Sequence, residues 1–209
     1  MKNTLYRWEI ALMVGVVWTL IWGVRTDRAQ KELADSLIRL HVIANSDSPA
    51  DQSTKLQVRD AMLEYICENS PQVESVAEME PILTAMLPEL EQVGRQVLRE
   101  EGCPYSLNAS LERCHFPTKQ YDGFSLPAGE YKALRLELGE AEGENWWCVA
   151  FPPLCLGAAG EELDLARQAG IFTKEQAALM TQNGSQYVLR FRSMELLGQL
   201  KQWWNGEIL

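Results

Sequence analysis

His41, Ser46 and Asp47 are the residues whose types could do chemistry together. An imidazole, a hydroxyl and a carboxylate are the parts of a nucleophilic hydrolase. All three lie in one short run, whereas catalytic triads assemble from groups that meet in space, and no oxyanion hole is evident nearby. An exported hydrolase using His41, Ser46 and Asp47 is therefore only the alternative reading. The same run carries a second chemistry. Arg39, His41, Asn45, Ser46, Asp47, Asp51, Gln52, Lys55 and Arg59 could form one polar patch of mixed charge for binding a partner. Asn, Ser and Asp also satisfy backbone groups at tight strand-to-helix turns, and that structural reading competes with the binding one. Metal and cofactor chemistry find little support. There are two histidines, and Cys114-His115 are adjacent rather than at a ligand spacing. No phosphate-binding glycine loop, G-x-S-x-G elbow or H-E-x-x-H pair is present. The expectation is no catalytic residue, no metal, no cofactor and no small-molecule substrate.

These residues must be positioned by a strand, a polar loop and a capped helix. From Leu37 to Ala44 the chain is mostly apolar and β-compatible, with Ile38, Leu40, Val42 and Ala44 on one side and Arg39 and His41 on the other. Ser48 is placed as an N-cap before Pro49, and Asp51 at the third helical position reads as a capping-box variant. The helix from about Pro49 to Glu68 is expected to bury Val58, Ala61, Met62, Tyr65 and Ile66, leaving Gln52, Lys55 and Arg59 as a stripe on another face.

A second helical stretch follows from Val73 to Glu101, where Pro81 and Pro88 predict a kink or two pieces. Tyr105 to Arg113 alternates as a half-exposed strand, and a loop with Pro117, Gly123 and Pro127 follows. Tyr131–Leu138 and Trp146–Phe151 are expected to pair as a hairpin, with the two tryptophans of that second strand on opposite faces. Thr173 and Gln176 suit a capping box. A strand at Tyr187–Arg192 and a helix at Met194–Trp204 close the chain. The pattern is α+β, or α/β with a mixed sheet, in one compact domain behind an N-terminal signal or anchor helix.

At 209 residues and 46% hydrophobic content the chain is large enough for a real core. Its net charge of −10 argues against nucleic acid as a partner. Residues 1–25 are the exception, with Lys2, Arg7 and Arg25 against Glu9. Ile10 to Val24 is an apolar run behind a basic start, typical of a signal-peptide core and short of the roughly 20 residues of a full span. The reading is a signal peptide or an uncleaved anchor at 1–25, a polar lead-in at 26–36, and an exported domain at 37–209, with membrane contact through residues 5–24 at least transiently. Of the five cysteines, Cys148 and Cys155 flank Pro152-Pro153, which can reverse the chain and bring them together. Export permits a disulfide there, against two buried free thiols.

Three blocks carry a resemblance. They are IRLHVIANSDSPADQ with K-L-x-V-R-D at Lys55–Asp60, then W-W-C-V-x-F-P-P-L-C from Trp146 to Cys155, and a closing strand near Tyr187–Arg192 with a basic-aromatic end. The chain resembles the stage II sporulation protein R family. The resemblance implies a non-enzymatic signalling protein, exported from the forespore into the space between forespore and mother cell. There it would activate a membrane-embedded aspartic protease, stage II sporulation protein GA, which processes the pro-form of sigma factor E. A membrane-tethered envelope scaffold is the remaining alternative.

Overall fold

The computed structural model describes residues 7–121, 124–153, 171–173, 176 and 180. The chain divides into two units, residues 1–33 and 34–209. In the first, helix α1 (Arg7–Asp35) starts. Trp8, Ile10, Leu12, Met13, Val14, Val16, Val17 and Trp18 are all exposed along it. Among the described residues no helix is long and apolar enough to cross a membrane.

Among the described residues the second unit is built on a four-stranded mixed sheet. Its strands are β1 (Ile38–Ile43), β2 (Leu107–Phe116), β5 (Gly129–Leu138) and β6 (Asn145–Phe151), in the order β2-β5-β1-β6. Between β2 and β5 the chain makes a small separate hairpin, β3 (Lys119–Tyr121) with β4 (Phe124–Leu126), where a plain loop is expected from sequence. Helices α2 (Pro49–Asn69) and α3 (Val76–Glu100) connect β1 to β2. The fold is thus α+β with parallel and antiparallel pairing in one sheet.

Side chains on directly opposed residues share a sheet face. One face carries Leu40 beside Leu134 and Cys148, and Val42 beside Leu136 and Trp146. This face joins Val58, Met62 and Ile66 of α2 and Met79, Leu83, Leu90 and Leu98 of α3 in a single core. The other face carries Arg39, His41, Tyr131, Phe116 and Trp147, so both sides of β1 are covered and all six of its residues are buried.

Three local expectations need correcting. Strands β5 and β6 do not pair as a hairpin, because β1 lies between them, parallel to β5 and antiparallel to β6. Helix α3 runs as one element through Pro81 and Pro88 rather than as two pieces. An internal proline costs about 3 kcal/mol or more, yet the buried side chains of α3 hold it against α2 and β2. Finally, Lys55 is buried rather than part of an exposed stripe, while Ala61 and Tyr65 are only half-buried.

The caps meet expectation. Asp51 N–H donates to Ser48 Oγ at 3.1 Å. Thr173 and Gln176 exchange reciprocal bonds of 2.8 and 3.1 Å. Cys148 is disulfide-bonded. Its candidate partner Cys155, the strand at Tyr187–Arg192 and the helix at Met194–Trp204 lie outside the described residues.

Candidate functional site: a clamped loop and a basic cleft

The polar run after β1 has a definite structural task. To pass from β5 to β6, the chain must cross the end of β1, two strand spacings or roughly 10 Å. The crossing segment, Gly139 to Glu144, is bolted to the run Ala44–Asp47 by four backbone N–H groups. Glu140 N–H donates to Asn45 Oδ1 at 3.0 Å and Glu142 N–H to the Asn45 carbonyl at 3.3 Å. Gly143 N–H donates to the Ala44 carbonyl at 3.0 Å, and Glu144 N–H to Asp47 Oδ1 at 2.7 Å. The close approach leaves no room for a side chain at Gly143. A Cβ on Gly143 would meet the Ser46 carbonyl oxygen at 2.4 Å.

Asp51 is the hub beneath this clamp. Its carboxylate accepts from Asn45 Nδ2 at 2.9 Å, Ser46 Oγ at 2.5 Å and Tyr105 Oη at 2.8 Å. It thus ties the loop to the chain leading into β2, where a simple capping box is expected from sequence. Hydrogen bonds from Ser46, then Asn45, hold the carboxyl down at about 2. Burial, followed by hydrogen bonding with Cys103 and Asp51, pushes the Tyr105 phenol up, so it stays a donor. A carboxyl depressed in the fold adds stability that is present above its unfolded value, near 3.9, and lost as pH falls through the folded value. The urea midpoint is therefore expected to drop between pH 4 and pH 2, more steeply in the wild type than in Asp51→Asn. The side chain is partly exposed, so screening keeps the effect modest. Parallel profiles for the two proteins would remove Asp51 from this role.

Arg39 and His41 do not belong to an exposed patch. Arg39 is 0% exposed and His41 is 7% exposed. The Arg39 guanidinium lies 4.1 Å from the Phe116 ring centroid and 4.9 Å from that of Tyr131. It donates to Tyr121 Oη and, at 3.4 Å, to the Cys148 carbonyl, while its Nη1 is buried without a partner. Burial lowers its pKa, and the nearby tyrosines oppose that. The His41 ring stacks on Trp147 at 3.9 Å and bonds Asn145 Oδ1 through Nε2 at 2.5 Å. Burial pushes its pKa down, so the imidazole is neutral at pH 7. The three groups of the hydrolase reading are thus each bonded elsewhere: His41 to Asn145, Ser46 to Asp51 and Asp47 to Glu144.

Of the remaining patch residues, Gln52 and Lys55 meet at a cleft of about 670 Å³. Gln52 and Lys55 line it from α2, Lys119 and Tyr121 from β3, and Trp146 and Trp147 from β6. Lys55 is 4% exposed, and its Nζ donates to Gln52 Oε1 at 2.5 Å and to the Glu144 carbonyl at 2.9 Å. Burial lowers its pKa. Arg59 pairs with Asp60 and lies 4.4 Å from the ring centroid of Trp146. The β3 residues were missed in the sequence because so short a hairpin leaves no periodic signal.

Fold and cleft together define an α+β domain that presents a basic recess on an acidic body. The family model for Stage II sporulation protein R matches residues 34–160, more than half of the chain. The chain belongs to that family, which places it among proteins of sporulation. It is 39% identical to Stage II sporulation protein R of Bacillus subtilis (strain 168) over 142 residues, 65% of this chain and 63% of that protein. The chain therefore spans less than two thirds of that relative's length. No solved structure matches it. The first two sequence blocks fall within the matched region, and the third lies beyond it.

Proposed function

We propose that the protein is an exported signal of sporulation that activates a membrane-embedded aspartic protease, stage II sporulation protein GA, and so triggers processing of pro-sigma factor E in the mother cell. Family membership is the observation that carries this reading. In this reading the protein acts from the space between forespore and mother cell, as a ligand rather than an enzyme. The exposed apolar residues of α1 support an N-terminal export or anchor segment, followed by one exported domain. The commitment of His41, Ser46 and Asp47 to separate structural bonds favours a ligand over a hydrolase. An activating ligand must bind the active form of the protease better than the inactive one, because it shifts an equilibrium only by that difference.

The test is reconstitution in a non-sporulating host that makes the protease and its pro-sigma substrate. Processing is expected when this protein is exported, with and without residues 1–25 provided the body reaches the correct side, and it should survive His41→Ala in a variant confirmed to fold. Absence of processing with a folded, exported protein would overturn the reading. Processing that requires the tethered form alone would favour the scaffold.

A further inference from the structure

The cleft carries a charge opposite to that of the chain. The protein has a net charge of −10. Yet among the described residues two lysines line the cleft against one acidic residue, Glu144, which holds Lys55 through its backbone carbonyl, with the Asp47 carboxylate also acting on Lys55. Lys55 is almost fully buried and the hydrogen-bond acceptors on its ammonium are neutral; the Glu144 and Asp47 carboxylates favour its charge from beyond ion-pair distance. An ammonium has three donors; one of these has no partner among the described residues. Lys119 has no ion-pair partner among the described residues. Behind the wall, Tyr121 joins the cleft to Arg39, a second buried cation that, among the described residues, has no carboxylate against it and one nitrogen unpartnered. Buried cations are normally paired, since an unpaired one keeps most of its desolvation cost. Trp146 and Leu56 add apolar surface beside these charges.

We propose that this cleft is the docking site for a short acidic peptide segment of the partner protein. A carboxylate of that segment faces Lys55 and Lys119, and an apolar side chain next to it lies against Trp146 and Leu56. The inference rests on the proposed function for the partner's being a protein, and on the cleft alone for its chemistry. An acidic segment is repelled by the rest of the body and attracted here, so charge selects both partner and register. Tryptophan beside a desolvated charge is the usual composition of an energetic anchor. The volume falls within the range of sites that enclose a few side chains.

The probes are three end-blocked pentapeptides, Leu-Glu-Leu-Glu-Leu and its Gln and Lys counterparts, titrated to millimolar concentration against the full chain. The glutamate peptide is expected to bind about tenfold or more tighter than the glutamine one at low salt, with the advantage shrinking at high salt. It should shift the indole N–H signals of Trp146 and Trp147. Lys119→Glu should reverse the preference toward the lysine peptide without lowering the melting temperature, because Lys119 holds no ion pair among the described residues. Equal binding of the glutamate and glutamine peptides, no binding by any of the three, or a preference untouched by Lys119→Glu would overturn the proposal. The processing assay separates the two readings. Charge-dependent peptide binding with no processing by the wild type keeps the cleft and removes the activator. Normal processing by both wild type and Lys119→Glu, with indiscriminate peptide binding, keeps the activator and removes the cleft.

Discussion

Gly143→Ala is expected to destabilise the domain by about 3 kcal/mol, a large effect for one methyl group. The added carbon would sit 2.4 Å from the Ser46 carbonyl oxygen, 2.6 Å from its carbon and 2.9 Å from Ala44 Cβ. Two of these are backbone atoms of a loop fixed by its own hydrogen bonds, so neither can swing aside as a flexible side chain could. Relief would have to come from pulling the crossing segment off the end of β1. That would also break the Gly143 N–H bond to Ala44 and loosen the Glu144 bond to Asp47. Gly102→Ala is the control. Gly102 is in the left-handed region at φ 69°, but nothing lies within 4 Å of its added carbon. Its cost should be the conformational term alone, about 1 kcal/mol. Urea denaturation of the two variants measures both. Equal losses would mean that the contact at Ser46 is relieved without strain.

The second large effect concerns Arg39, and here the replacement decides the outcome. Arg39→Ala should cost about 3–4 kcal/mol, because it empties a fully buried site walled by Phe116, Tyr121 and Tyr131. Arg39→Met should lie within about 1 kcal/mol of the wild type. A buried cation without a carboxylate keeps much of its desolvation cost, and an apolar side chain of similar length avoids that cost while filling the volume. The polar loss is small. Tyr121 Oη keeps its bond to the Trp147 carbonyl at 3.2 Å, and the bond to Cys148 is long. Thermal melts of both variants give the comparison. If methionine is as damaging as alanine, the guanidinium's polar contacts, rather than its bulk, hold the aromatic face together. A stable Arg39→Met protein with weakened binding of the glutamate peptide would assign the buried charge to the cleft.

What could be read from the residues was what is local. The Ser48 cap, the start of α2 at Pro49 and the strand β1 depend on spacing over a few positions, and they stand as expected. Pairing is decided elsewhere. The periodicity of Tyr131–Leu138 and Trp146–Phe151 shows two strands, but not that a third comes between them from nearly a hundred positions upstream. The loop's polar character was legible, and its partners were not, since Glu140 and Glu144 meet Asn45 and Asp47 only once the crossing is made. Arg39 looked like a surface residue because β1 alternates cleanly. The rings that cover it come from β2, β3 and β5, and no local pattern announces a cation in an aromatic box.

The place of β1 in the sheet also fixes an order of events. Among the described strands it is the first to leave the ribosome, and both of its neighbours come last. The antiparallel β2–β5 pair can zip up through its own connection, whereas β1 must wait until the chain has been made through Phe151 before its second edge is met. Until then an apolar strand has at least one unsatisfied edge, and closing it requires long loops, which slows folding. A nascent chain of this protein therefore leaves its central strand incompletely paired over nearly three quarters of its length. The described sheet closes late, when its last strand docks.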